Sequence, residues 1–166
     1  MNPNAWLESN AAGYSHLHQD DRRSICHFAL LWSFFEAKLL ATHGSPRAII
    51  DTVERIDAAN RLDPESVAVP LAYFRDRYWQ NGRLSEKFDG LNMTTKCVRI
   101  TEPVLAGQQD PAAVLTALLL IVHRLRNNLF HGPKWSFGIN DQRSNFDNAN
   151  LVMMAAMDMY RPLMDD

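Results

Sequence analysis

PAAVLTALLLIVHRLRNNLFHG, residues Pro111 to Gly132, is the stretch that decides how this chain is read. Asp110 stands before it as a helix cap, and Pro111 takes the first helical position, where a missing N–H is harmless. Gly132 sits where a C-terminal glycine stop belongs. Between them Leu115, Leu118, Leu119, Val122, Leu125 and Leu129 recur at spacings of three and four, the period of a helix with one buried face. The C-terminal end changes character. Arg126, Asn127, Asn128 and His131 crowd the last turns, and a soluble helix rarely has reason to place such groups there.

Outward from this helix the same punctuation repeats. Ser45-Pro46 and Asp63-Pro64 are further cap-and-proline starts, and Gly44 is a further stop. The spacing predicts helices over Asp21–Thr42, Pro46–Asn60, Pro64–Trp79, Pro111–Phe130 and Phe146–Met159, with Pro70 kinking the third or delaying its start. Met93 to Ile100, within the less legible Leu84 to Gly107, fits either a short helix or an extended piece. Gly132 to Asn145, rich in Gly, Asn, Asp and Ser, reads as a loop. The expected fold class is all-α, a bundle of four to five main helices in one domain spanning residues 1–166.

Composition bounds the function. The chain has 46% hydrophobic and 22% charged residues and a net charge of −2, so it carries no global basic field and any nucleic-acid contact must be local. Met1 to Asn10 lacks the basic and apolar regions of a signal peptide. The apolar run Ala112 to Val122, interrupted by Thr116, is too short to span a bilayer. A cytoplasmic protein without a membrane partner is expected. Cys26 and Cys97 form no C-x-x-C and read as free thiols. His16 and His18 form an H-x-H in a polar segment and read as solvated, so no metal site and no cofactor are expected.

The helix faces carry the first functional hint. On Asp21–Thr42, Ile25, Phe28, Trp32, Phe35 and Leu39 form the apolar stripe, and Glu36 projects about 40° from Trp32, inside it. On the Pro111 helix, Arg126 projects about 40° from Val122. Two core helices thus carry one charge each, of opposite sign, on their buried sides. An unpaired buried charge is costly, so Glu36 and Arg126 are expected to meet unless either snorkels out at the stripe's edge. Arg124 projects opposite Val122 and reads as exposed. Arg75-Asp76-Arg77 reads as a solvated face, and Tyr73, Phe74, Tyr78 and Trp79 as a core stripe.

His131 projects about 140° from Arg126 on an ideal helix and shares a face with Asn127. At a helix C-terminus the negative end of the dipole raises a histidine's pKa, which suits proton exchange near neutral pH. Cleaving RNA without a metal needs a group to take the 2′-hydroxyl proton and one to protonate the leaving 5′-oxygen. It also needs a cation on the phosphorane. Histidine can do the proton work, arginine can clamp the phosphate with two parallel hydrogen bonds, and an amide can orient either.

Arg126-Asn127-Asn128-Leu129-Phe130-His131 resembles the R-x4-6-H motif of the HEPN superfamily, in which a polar residue directly after the arginine and placement at the end of a long bundle helix are typical. The resemblance implies an up-and-down bundle that dimerises, with the arginine and histidine of both protomers lining a shared cleft. It implies a metal-independent endoribonuclease leaving 2′,3′-cyclic phosphate and 5′-hydroxyl ends, in a toxin–antitoxin or phage-defence setting. An antitoxin or other regulatory protein is the partner such a setting brings. His131 would be the acid–base, Arg126 the phosphate clamp, Asn127 and Glu36 positioning groups, and Asn128 and Lys134 RNA contacts. Pro133 departs from the toxin-type pattern, which often has tyrosine there. Other members keep the fold without nuclease activity and bind a protein partner or nucleotide, and this stands as the alternative.

Overall fold

The computed structural model describes residues 1–131 and 142–163, except for the side chains of His131 and Pro162. The chain is mainly helical. Helix α1 (Pro3–Asn10) starts where the Asn2 side chain accepts from the Asn4 N–H at 2.9 Å, and only its Leu7 packs, partly buried, against the core. A short 3₁₀ turn over Tyr14–His16 leads to α2 (Gln19–Leu39). The buried residues of α2 are Ser24, Phe28, Trp32, Phe35 and Leu39, the anticipated stripe with Ile25 at its margin. Helix α3 (Pro46–Ala58) opens on Ser45, whose hydroxyl accepts from the Ala48 N–H at 3.2 Å.

Helix α4 (Ala68–Tyr78) begins later than the Asp63-Pro64 signal suggests, because a 3₁₀ turn over Glu65–Val67 comes first. Pro70 explains the delay. It lacks an N–H and its ring would crowd the carbonyl four residues back, so it fits only in a first turn. The helix also ends before Trp79. Trp79–Gln80 (β1) pairs antiparallel with Arg83–Leu84 (β2) across Asn81-Gly82. Both turn residues have positive φ, 52° and 74°, which asparagine and glycine adopt most readily and a tight hairpin requires. After Leu84 of β2, the 84–107 segment holds two helices, α5 (Glu86–Asp89) and α6 (Thr95–Leu105).

Helix α7 (Pro111–His131) is capped by Asp110, which accepts from the Ala113 N–H at 2.8 Å. Residues 114–123 are buried without a break, so this helix is enclosed on all sides rather than along one stripe. By length and composition Pro111–Phe130 could cross a membrane, contrary to the shorter run counted in the sequence, but 72% of its apolar window is buried inside the protein. Helix α8 (Arg143–Tyr160) starts three residues before the expected Phe146. It packs on α2, α4 and α7, while α7 also takes α3 and α6, so α7 is the axis of the fold. Phe28 of α2 meets Phe146 of α8 with ring centroids 4.8 Å apart, and Phe74 stacks on Tyr78 at 5.8 Å, both in the core.

Candidate functional site

Glu36 lies in the last turn of α2. Beyond Leu39 the chain reverses through Ala41 and Thr42, whose φ values of 48° and 64° are left-handed and costly for residues with side chains, β-branched threonine above all. Such strain persists where the surroundings dictate it. Here the Thr42 N–H is held by the Glu36 carbonyl at 3.1 Å. The reversal returns Gly44 to the Glu36 side chain. Its N–H donates to Oε1 at 2.9 Å, while the Trp32 indole N–H donates to Oε2 at 3.1 Å. A Cβ at Gly44 would stand 2.2 Å from Glu36 Oε1 and 2.9 Å from Trp32 Cζ2, so glycine is demanded here by close approach.

Arg126 of α7 faces this carboxylate, with Nη2 3.9 Å from Glu36 Oε2. Nη1 donates to Asn127 Oδ1 at 3.1 Å, and the guanidinium carbon is 5.5 Å from the ring centroids of both Trp32 and Phe130. The ion pair anticipated from the helix faces is therefore present, at the long end of the range. It is neither sealed nor solvated, since the Arg126 and Glu36 side chains keep 24% and 22% of their exposure. Pairing at this depth restrains geometry more than it adds stability.

Sequence reasoning missed His123. It precedes Arg126 by three residues and Asn127 by four, hence stands beside both on one helix face. That spacing was the available signal, masked by the surrounding leucines and valines. The side chain is 6% exposed. Its Nε2 is 3.0 Å from the Gly44 carbonyl, its ring 5.9 Å from that of Trp32, and its Nδ1 is buried with no partner among the described residues. Burial holds its pKa below the ordinary histidine value, against a smaller raising effect of the Gly44 hydrogen bond.

Comparison with protein-family models, with curated proteins and with solved structures found no match. The site is therefore characterised by its own geometry. Glu36, Arg126 and Asn127 are brought together. Asn128 is not part of the cluster. It is buried and its amide donates to the Gly90 carbonyl at 2.9 Å, the place of an anchor for the α5–α6 connection rather than of an RNA contact. The His131 side chain and Lys134 lie outside the described residues. Arg124 was expected to be exposed. Instead it is half-buried and donates to the Leu91 carbonyl at 2.8 Å, because a guanidinium on a long stem can cap the backbone that packs over α7. Arg75 likewise donates to the carbonyls of Val104 and Gln108 at the end of α6 instead of lying on a solvated face. His16 and His18 are exposed, and among the described residues no three His, Cys, Asp or Glu side chains converge as a metal site.

Chemically, the cluster offers a guanidinium 24% exposed, with Nη1 on Asn127, Nη2 toward Glu36 and the ring centroids of Trp32 and Phe130 each 5.5 Å from its central carbon. A guanidinium is the side-chain cation best matched to carboxylate and phosphate geometry.

Proposed function

We propose that this chain is a metal-independent endoribonuclease of the HEPN type, built as an up-and-down helical bundle and acting as a homodimer with a composite cleft. The observation that carries the reading is the junction of Glu36, Arg126 and Asn127 at the end of α7, in the same helix as His131 and five residues before it. In this mechanism His131 takes the proton of an RNA 2′-hydroxyl as the 2′-oxygen attacks the adjacent phosphorus. The bond to the 5′-oxygen breaks, and that oxygen gains a proton from the protonated histidine of either protomer. The products are a 2′,3′-cyclic phosphate and a 5′-hydroxyl. Arg126 stabilises the charge that develops on the phosphorane, and Glu36 and Asn127 hold its guanidinium in place.

A second reading has its own support. The Glu36 carboxylate is already engaged by Trp32 and by the Gly44 backbone, as in a purely structural clamp, and the chain is slightly acidic. Under that reading the protein is a non-catalytic helical module that binds a protein partner or nucleotide. Cleavage of a mixed RNA and tRNA pool in EDTA separates the two. The nuclease reading expects wild-type cleavage with cyclic-phosphate ends, lost in both Arg126→Ala and His131→Ala. Absence of wild-type cleavage over a broad substrate range supports the module, and activity that survives both substitutions refutes this site.

A further inference from the structure

His123 is a buried titratable group with no part in the chemistry above, yet it touches the element that sets Glu36. Gly44 is held from two sides. Its N–H donates to Glu36 and its carbonyl faces His123 Nε2 at 3.0 Å. A carbonyl can only accept, so this contact requires the proton on Nε2. Asn127 Oδ1 accepts from Arg126, which leaves Asn127 Nδ2 facing the same Nε2 at 3.4 Å, longer than a normal hydrogen bond, so the 3.0 Å contact to the Gly44 carbonyl is the one that decides the proton's place. The opposite tautomer would set two lone pairs against each other at Gly44 and bury an N–H at Nδ1 with no acceptor among the described residues. A buried N–H without an acceptor is rarer than an under-used acceptor.

We infer that His123, as the neutral Nε2–H tautomer, is a positioning residue that fastens the Gly44 turn to α7 and so sets the Glu36 carboxylate against Arg126. The chain of contacts runs from α7 through His123 to the Gly44 carbonyl, across that residue to its N–H, on to Glu36, and back to α7 at Arg126. The loop closes on one helix, so a shift of the α2–α3 turn relative to α7 is felt at both ends. Trp32 stiffens it, since its indole N–H holds Glu36 Oε2 while its ring lies against His123 and Arg126.

The consequence for catalysis rests on the ribonuclease reading, but the positioning itself can be tested without it. In the ¹⁵N-labelled wild-type protein, long-range ¹H–¹⁵N spectra at neutral pH report the tautomer of each histidine. The inference expects a neutral His123 with the proton on Nε2. A proton on Nδ1, or a charged ring, overturns it. The variants His123→Phe, which keeps the ring and loses the donor, and His123→Gln, whose amide can reach the same carbonyl, supply the second arm. His123→Phe should shift the Gly44 amide and Trp32 indole cross-peaks, and His123→Gln should restore them. If the protein cleaves RNA, kcat should fall about tenfold in His123→Phe with KM within about twofold, and recover in His123→Gln. Unchanged Gly44 and Trp32 signals in His123→Phe refute the positioning role. If wild type does not cleave RNA while the spectra behave as expected, the nuclease reading fails and the positioning stands. Should His123→Phe fail to fold, the wild-type tautomer still decides.

Discussion

Gly44→Ala is the sharpest test of the cluster's packing. A methyl group at this position would fall 2.2 Å from Glu36 Oε1 and 2.9 Å from Trp32 Cζ2. Glu36 could swing its carboxylate aside, but it would then lose the Gly44 N–H and strain the Trp32 indole bond, at 2.9 and 3.1 Å in the native structure. A hydrogen bond to a charged group contributes about 1.5–3 kcal/mol. Overpacking against the buried indole adds about 1 kcal/mol or more. The expected destabilisation is thus about 3 kcal/mol, or roughly 6–12 °C in Tm for a chain of this size. Urea and thermal unfolding followed by circular dichroism measure it. The mechanism also predicts coupling. In a Glu36→Ala background the nearer clash is gone and only the Trp32 contact remains, so the same substitution should cost about 1 kcal/mol there. A Tm within about 1 °C of wild type for Gly44→Ala, or an equal loss in both backgrounds, would refute the reasoning.

Other expectations follow from the same contacts. Asn128→Ala removes the bond to Gly90 and should lower stability by about 1–3 kcal/mol in urea titration, without selectively abolishing any RNA cleavage. Thr42→Gly relieves a left-handed β-branched residue and should be neutral or raise stability by up to about 1 kcal/mol in the same assay, as the gain in φ freedom is offset by the entropy of glycine. Tyr78, 1% exposed, has its phenol pushed by burial from 10.0 up to about 12. Its stabilisation is present below the unfolded value of about 10 and is lost as pH rises from there toward 12, a swing of about 3 kcal/mol, so the 295 nm tyrosinate signal of this residue should appear only with alkaline unfolding. His123 shifts the other way. Its folded pKa lies below the ordinary 6.5, so the unfolded chain binds the proton first and stability, complete above 6.5, declines as pH falls through the region below it. The decline should be shallower in His123→Gln, as measured by urea midpoints across mildly acidic pH.

The legible parts of this protein were those in which local chemistry and tertiary packing agree. Cap-and-proline pairs at Ser45-Pro46 and Asp110-Pro111 start helices where they stand, because the cap satisfies an N–H that no other partner would reach. The stripe of α2 is legible because one side of that helix meets the core and the other does not. The periodicity of α7 was less informative, since a helix buried all round has no polar face to set its phase. The hairpin at Asn81-Gly82 went unread because two-residue strands leave no alternation to see. Arg124 and Arg75 were misplaced for a common reason. Each reaches a backbone carbonyl on another element, and which carbonyl lies nearby is a property of the fold rather than of the helix.

The candidate site divides along the same line. Glu36 and Arg126 could be paired from sequence because two charges on two buried faces leave each other as the natural solution. Gly44 and His123 were not, because Gly44 acts through a backbone N–H and carbonyl that carry no residue signature, and the spacing of His123 to Arg126 and Asn127 was masked by its apolar neighbours. Yet these two determine what the pair can do. At 3.9 Å, with each side chain about a quarter exposed, the Glu36–Arg126 contact is too loose to fix a guanidinium by itself. What holds the carboxylate is the indole of Trp32 and the Gly44 turn, and what ties that turn to α7 is His123. A carboxylate held by neutral donors faces Arg126 while its position is set elsewhere. On the ribonuclease reading, that separation of charge from anchoring would let Arg126 approach a phosphate without dismantling the turn, and it would make Trp32→Phe, which keeps the ring and removes the indole donor, a change in where Glu36 sits more than in whether the protein folds.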